Sequence, residues 1–162
     1  MKATDIKADN INKWAKDIIG TKNLPIPKKP TGTDPEFSFP DDPSALSPTK
    51  LGQLMMRFTS YFGYTQWLLG LADSEFALVD SEYKVNMNAA GIEIRESLGR
   101  VAADVVEAAV LKNNSSLTPL YERRQKLIAV RIQLEARLKI YEKMNYALSR
   151  ELSRRDMEAR IQ

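Results

Sequence analysis

Lys139, Lys143, Arg150 and Arg154 follow one another at intervals of four, seven and four residues. In a helix that spacing sets them in one row. Tyr146 falls beside the row and Arg155 extends it. A line of cations with an aromatic ring among them suits a single-stranded nucleic acid, because charges track the phosphates and the ring stacks on a base. The same residues have a second reading. Glu135 precedes Lys139 by four residues, Glu151 precedes Arg155 by four, and Glu158 follows Arg154 by four. The row is then a solvated face laced with ion pairs. Sequence alone leaves both readings open.

The other charged groups point less clearly to a ligand. Arg123, Arg124, Lys126 and Arg131, with Glu122 and Glu135 nearby, read as a solvated or intersubunit face. Asp73 with Asp80 and Glu75 with Glu82 form two carboxylate pairs at seven-residue spacing. Inward-facing carboxylates of helical bundles can hold two metal ions, but those sites add Glu-x-x-His motifs. This chain has no His and no Cys. Its acids therefore read as a solvated face, or as partners for the basic C-terminal segment. The same two absences remove the usual general base near neutral pH, thiolate nucleophiles and Cys-held metals. Neither a Gly-rich phosphate loop nor a nucleophile elbow is present. The expectation is a protein with no cofactor and no metal, and not an enzyme.

The elements that position these residues are helices. Thr118-Pro119 places a capping residue before a proline suited to the first helical turn, and no further Pro or Gly follows. From Thr118 onward there are 11 Lys or Arg against 6 Asp or Glu, whereas residues 1–117 hold 13 against 15. All the net positive charge of +3 thus belongs to this last segment. Leu127, Val130, Leu134, Leu138, Tyr141, Met144, Leu148 and Leu152 form its apolar stripe. A helix of about 40 residues is roughly 60 Å long, so its partner must be long too. Ser47-Pro48 opens that partner, with Leu51, Leu54, Phe58, Tyr61, Leu68, Ala72, Phe76, Val79 and Tyr83 at steps of three or four and Thr65 filling the remaining slot. The segment from Leu54 to Leu71 is apolar on most sides, which marks the centre of a core or a subunit interface. Gly52, Gly63 and Gly70 fit close helix approach. The long helix is expected to run to about Asn86, with a break at Gly91. A shorter helix over Ser97–Leu111 presents Leu98, Val101, Val105, Ala108 and Leu111 on one face.

Upstream lies a different composition. Seven of the eight prolines fall between Pro25 and Pro48. That density favours a semi-rigid extended arm, whose Leu24, Ile26, Phe37 and Phe39 should lie on a surface. A short helix is expected within residues 1–19. The fold class is therefore all-α: a long antiparallel helical hairpin over 48–162 with a short connecting helix, preceded by a short helix and a Pro-rich N-terminal arm over 1–47. At 162 residues the chain has room for one ordinary domain. No apolar run approaches the ~18 residues of a membrane span. The charged, amphipathic N-terminus lacks the features of a signal peptide, so the expected localisation is intracellular.

Two segments carry a family resemblance. One runs from Lys50-Leu51 through Tyr61, Tyr64 and Trp67-Leu68 to Asp73 and Glu75. The other is Ala147-Leu148-Ser149-Arg150-Glu151-Leu152-Ser153-Arg154-Arg155. A long helix with a Tyr-x-x-Trp-Leu centre, a short connecting helix and a long basic last helix resembles the UvsY-type recombination mediators of tailed phages, over roughly residues 48–160. The resemblance implies a ring-like homo-oligomer that binds single-stranded DNA. It also implies help in loading a RecA-type recombinase onto strands covered by single-strand-binding protein, in the host cytoplasm. The chain departs from that family where a Lys/Arg-rich stretch is expected late in the first long helix: Glu82 to Ala90 holds only Lys84. The competing expectation is a phage structural or adaptor protein that uses its hairpin and arm for assembly without binding nucleic acid.

Overall fold

The computed structural model describes residues 2–31 and 39–161, with Leu98 described in its backbone only. Phe37 lies outside the described residues, as does the side chain of Leu98. Four helices account for most of the chain: α1 (Ala8–Gly20), α2 (Pro48–Leu98), α3 (Ala103–Asn113) and α4 (Thr118–Ile161). Among the described residues there is no strand, and no helix is long and apolar enough to cross a membrane.

Local chemistry explains most of the boundaries. The Ser47 hydroxyl accepts the Lys50 N–H at 3.3 Å, and Pro48 occupies the first turn of α2, where its missing N–H costs nothing. The 51 residues of α2 run through Gly91 without the expected break. Gly91 is a packing residue: a Cβ there would sit 3.3 Å from Val106 Cγ1 of α3. The stop falls instead at Gly99, whose φ of 72° is the left-handed backbone that glycine adopts freely. At the other end of α3, the Asn114 side chain accepts the Ser116 N–H at 3.2 Å and so organises the turn into α4. Thr118 is already helical there (φ −57°, ψ −47°), so the capping expected of Thr118 falls to Asn114.

The chain divides into two compact units. The first comprises Met1–Pro25 and Leu71–Arg131, and the second Ile26–Gly70 and Ile132–Gln162. In each, α2 runs antiparallel to α4. The second unit is built on fully buried Leu51, Phe58 and Leu148, with Leu54, Met55, Tyr141, Met144 and Leu152 packed around them. Tyr141 stacks on Tyr61 with ring centroids 5.6 Å apart. From the arm, Phe39 lies on Phe58 at 5.9 Å, while Leu24 and Ile26 remain exposed. Along α2 the buried positions Leu51, Phe58 and Thr65, then Ala72 and Val79 in the first unit, recur every seven residues. This is the spacing of a coiled-coil seam.

Polar residues enter the seam at chosen points. In the second unit the Asn145 amide donates to Thr59 Oγ1 at 3.0 Å. In the first unit Arg131 takes the inward place expected of Val130, which is 47% exposed. Its guanidinium lies 4.4 Å from the Phe76 ring centroid and pairs with Asp73. The short helix α3 is rotated from the expected face. Val106 and Val110 are buried, whereas Val101, Val105 and Ala108 are exposed. Among the described residues nothing lies within 4 Å of a Cβ built at Gly52, Gly63 or Gly70, so there they serve no close approach.

Helix α1 docks on the first unit through polar contacts. Glu82 accepts the Ala8 N–H at 2.7 Å and meets Lys7 at 3.3 Å. Arg123 bridges Asp9 at 2.7 Å and Glu75 at 2.8 Å. Ala8 is buried, but Trp14, Ile18 and Ile19 face outward.

Candidate nucleic-acid interface

The cations of α4 fall into two populations, separated by whether the fold neutralises them. In the first unit Arg123 is held by Asp9 and Glu75, Arg124 by Asp80 at 2.6 Å, and Arg131 by Asp73. Three of the four paired acids of α2, Asp73, Glu75 and Asp80, thus meet the basic helix, as one reading of the sequence anticipated, whereas Glu82 turns to Lys7 and the Ala8 N–H. Burial pushes the Asp80 carboxyl up, but hydrogen bonds from Lys84 and Arg124 outweigh it and hold its pKa below the ordinary value. The Arg123 hydrogen bond and charge likewise lower Asp9. Arg124 also lies 5.6 Å from the Tyr83 ring centroid. Tyr83 itself donates to Glu107 at 2.6 Å, and burial followed by that bond raises its pKa well above the ordinary phenol. These groups are structural, and the cations among them are already paired.

The second unit differs. Lys139, Lys143 and Arg150 are exposed, and no described residue pairs with them. The expected Glu135–Lys139 bridge is not formed among the described residues. The row lies opposite Tyr141, Leu148 and Leu152, because 3.6 residues per turn carries residues 139, 143, 146 and 150 to the side away from the seam. Tyr146 projects between Lys143 and Arg150 and is 71% exposed. Lys139 and Arg150 are 11 residues apart along the helix, about 16 Å at the α-helical rise. Arg137 is exposed as well, but two positions from Lys139 it points to another side. Glu142, exposed beside Lys143, is the acid on the flank of the row.

The C-terminal end of the predicted row is occupied differently. Arg154 pairs with Glu151 at 2.8 Å and with Glu158. Half-buried Arg155 pairs with Glu151 at 2.8 Å and donates to the backbone carbonyls of Pro43 at 3.3 Å and Ser44 at 2.9 Å. Hydrogen bonds from Arg154 and Arg155 hold the Glu151 carboxyl down at about 2. Arg155 thus ties the end of the arm to α4. The row brought together on one open face is Lys139, Lys143, Tyr146 and Arg150.

Two apolar side chains that charge spacing does not single out share that face. Ile132 is seven residues before Lys139 and Met157 seven after Arg150; they are 61% and 60% exposed. The signal was available as a heptad interval, but apolar residues attract attention only when they join the stripe. With Tyr146 they give the face apolar contacts at its middle and both ends. Such a surface can neutralise phosphates and present a ring to a splayed base. Among the described residues no group of three or more His, Cys, Asp or Glu side chains is placed to hold a metal ion. Comparison with protein-family models, characterised proteins and solved structures returns no match.

Proposed function

We propose that the chain is a nucleic-acid-binding accessory protein whose α4 face, with Lys139, Lys143, Tyr146 and Arg150, takes a single strand. The observation that carries this reading is the contrast along α4. Its other inward and terminal arginines meet carboxylates, while these three cations are exposed and unpartnered among the described residues. Exposed cations on a lone helix are ordinary. An exposed Tyr146 set among them is the added feature that favours a ligand with both phosphates and bases.

A single strand suits the face better than a duplex. The ring of Tyr146 needs an unstacked base, and a single strand offers one without unpairing. In the recombination-mediator reading the strand is DNA. The protein then acts as a homo-oligomer in which each copy contributes one row, and it assists a RecA-type recombinase on DNA covered by single-strand-binding protein. It carries no cofactor and performs no covalent step. The test is a comparison of labelled single-stranded and duplex oligonucleotides of equal length, bound by full-length protein and by Tyr146→Ala. Base stacking contributes about 1–3 kcal/mol per base, so the variant should weaken single-strand binding and leave duplex binding nearly unchanged. Equal loss on both substrates would remove the role given to Tyr146.

A further inference from the structure

Helix α1 turns its apolar side away from the helices it docks on. At 3.6 residues per turn, Ile11, Trp14, Ile18 and Ile19 share about 140° of its circumference. All four are exposed, Trp14 to 65% and Ile19 to 60%. The docked side carries Ala8, Asn12 and Ala15 instead, and of these only Ala8 is buried. Its holds are polar: Glu82 meets Lys7 and the Ala8 N–H, and Arg123 meets Asp9. A helix that had only to pack on its own chain would turn its isoleucines inward. Packing within the chain therefore does not account for this side of α1.

The same segment is basic. Residues 1–29 hold seven Lys, three Asp and no Arg or Glu, whereas residues 30–117 hold 6 Lys or Arg against 12 Asp or Glu. Lys7 and Asp9 are already paired. Lys2, Lys13, Lys16 and Lys22 are exposed and make no ion pair among the described residues. Lys13 and Lys16 stand on the polar side of α1, and Lys2 and Lys22 flank its ends. The apolar display also continues past the helix. Ile6 precedes it and Leu24 follows it, both exposed, Leu24 lying beyond a turn at Asn23 with a φ of 50°.

We infer that α1 is a membrane-surface helix, and that the partner of its apolar side is a bilayer rich in anionic phospholipid. Its 13 residues, about 20 Å long, lie in the plane of the interface. Ile11, Trp14, Ile18 and Ile19 enter the boundary between headgroups and acyl chains, where an indole places its apolar body and its polar N–H together. The lysines stay among the headgroups, their stems following the apolar surface. Charge selects this partner, because unpaired lysines complement an anionic surface. Lysine without arginine suits that diffuse attraction, whereas arginine is the residue of bidentate contacts to carboxylate and phosphate. Shape selects it as well. Ile6 and Leu24 lie outside the helix, so a protein groove moulded to a helix face takes only part of the display. A bilayer imposes no such mould. A nucleic acid offers phosphates to the lysines but nothing to the isoleucines. The inference does not rest on the nucleic-acid reading of α4.

Flotation of full-length protein with vesicles of phosphatidylglycerol and phosphatidylcholine, against vesicles of phosphatidylcholine alone, tests it. The wild type should float with the anionic vesicles and far less with the neutral ones. Trp14→Ala combined with Ile18→Ala keeps every charge and removes only exposed side chains. Its circular dichroism should be unchanged and its flotation lost. Lys13→Gln, Lys16→Gln and Lys22→Gln together should weaken binding on the order of 100-fold, at roughly 5-fold per lysine. In Trp67→Phe, which leaves Trp14 as the one tryptophan, emission should move to shorter wavelength when anionic vesicles are added. Lys139→Glu with Lys143→Glu should still float. A wild type that does not float with anionic vesicles overturns the inference and leaves this side of α1 to a protein groove. Flotation that survives Trp14→Ala with Ile18→Ala overturns it as well, and so does flotation abolished by Lys139→Glu with Lys143→Glu, because the charges of α4 then account for the binding.

Discussion

Replacing Lys139, Lys143 and Arg150 together by Glu removes the three exposed cations of the row beside Tyr146, none of which pairs with a described residue. Each phosphate neutralised on a single strand contributes about −0.7 to the slope of log affinity against log salt. Three such contacts therefore contribute a slope of about −2. Between roughly 50 and 200 mM salt that component alone weakens binding by about 18-fold. The triple variant should bind more weakly at low salt and show a slope flatter by about 2. Fluorescence anisotropy with a labelled single-stranded oligonucleotide, repeated over a salt series, reads both quantities. The fold should survive, because the three side chains are exposed and make no ion pair among the described residues. Circular dichroism checks that point. A companion variant with Gln at the same positions should show a similar change in slope without like-charge repulsion. If both variants retain the wild-type slope and affinity while folded, the row does not contact phosphate, and the reasoning from unpaired exposure is wrong.

Further predictions concern the frame that holds this face. Leu148→Ala should destabilise the protein by about 2–5 kcal/mol, because Leu148 is fully buried against Leu51 and Phe58; urea denaturation measures the loss. Gly99→Ala should cost roughly 1–2 kcal/mol, since its φ of 72° is strained for any residue with a Cβ, and thermal melting reads the effect. Glu151 makes an acid-sensitive contribution. Its carboxyl is lowered from the ordinary 4.5 to about 2 by Arg154 and Arg155, so its ionised form is favoured in the folded state. The stabilisation is complete above about 4.5 and declines as pH falls from there towards 2. Glu151→Gln should flatten that limb of the stability–pH curve, followed by circular dichroism, and should loosen the contact of Arg155 with Pro43 and Ser44.

The helical architecture was legible because its signals are local. Ser47-Pro48, the stripe from Leu51 to Tyr83 and the stripe ending at Leu148 and Leu152 each follow from capping and periodicity. The pairing of Asp73, Glu75 and Asp80 with Arg131, Arg123 and Arg124 could be anticipated from complementary charge on two long helices. What the sequence hid depends on tertiary context. Gly91 and Gly99 are both plausible stops by residue type, and only the approach of Val106 separates the packing glycine from the terminating one. Val105 and Val106 are adjacent valines, so hydrophobic spacing alone did not fix the face of α3. Arg131 displaced Val130 from the inward position because an arginine can lie over Phe76 and still reach Asp73. In the candidate face, Lys139, Lys143, Tyr146 and Arg150 were legible as a row. That Arg155 would turn back to the Pro43 and Ser44 carbonyls was not, because those acceptors lie on a segment more than a hundred residues away in sequence.

The central claim is that the open face of α4 takes a single strand. Its most direct test is a titration of a labelled single-stranded oligonucleotide with full-length protein at low salt, where phosphate contacts are strongest. The account predicts saturable binding that weakens linearly in log–log terms as salt is raised. Absence of binding at low salt would contradict it.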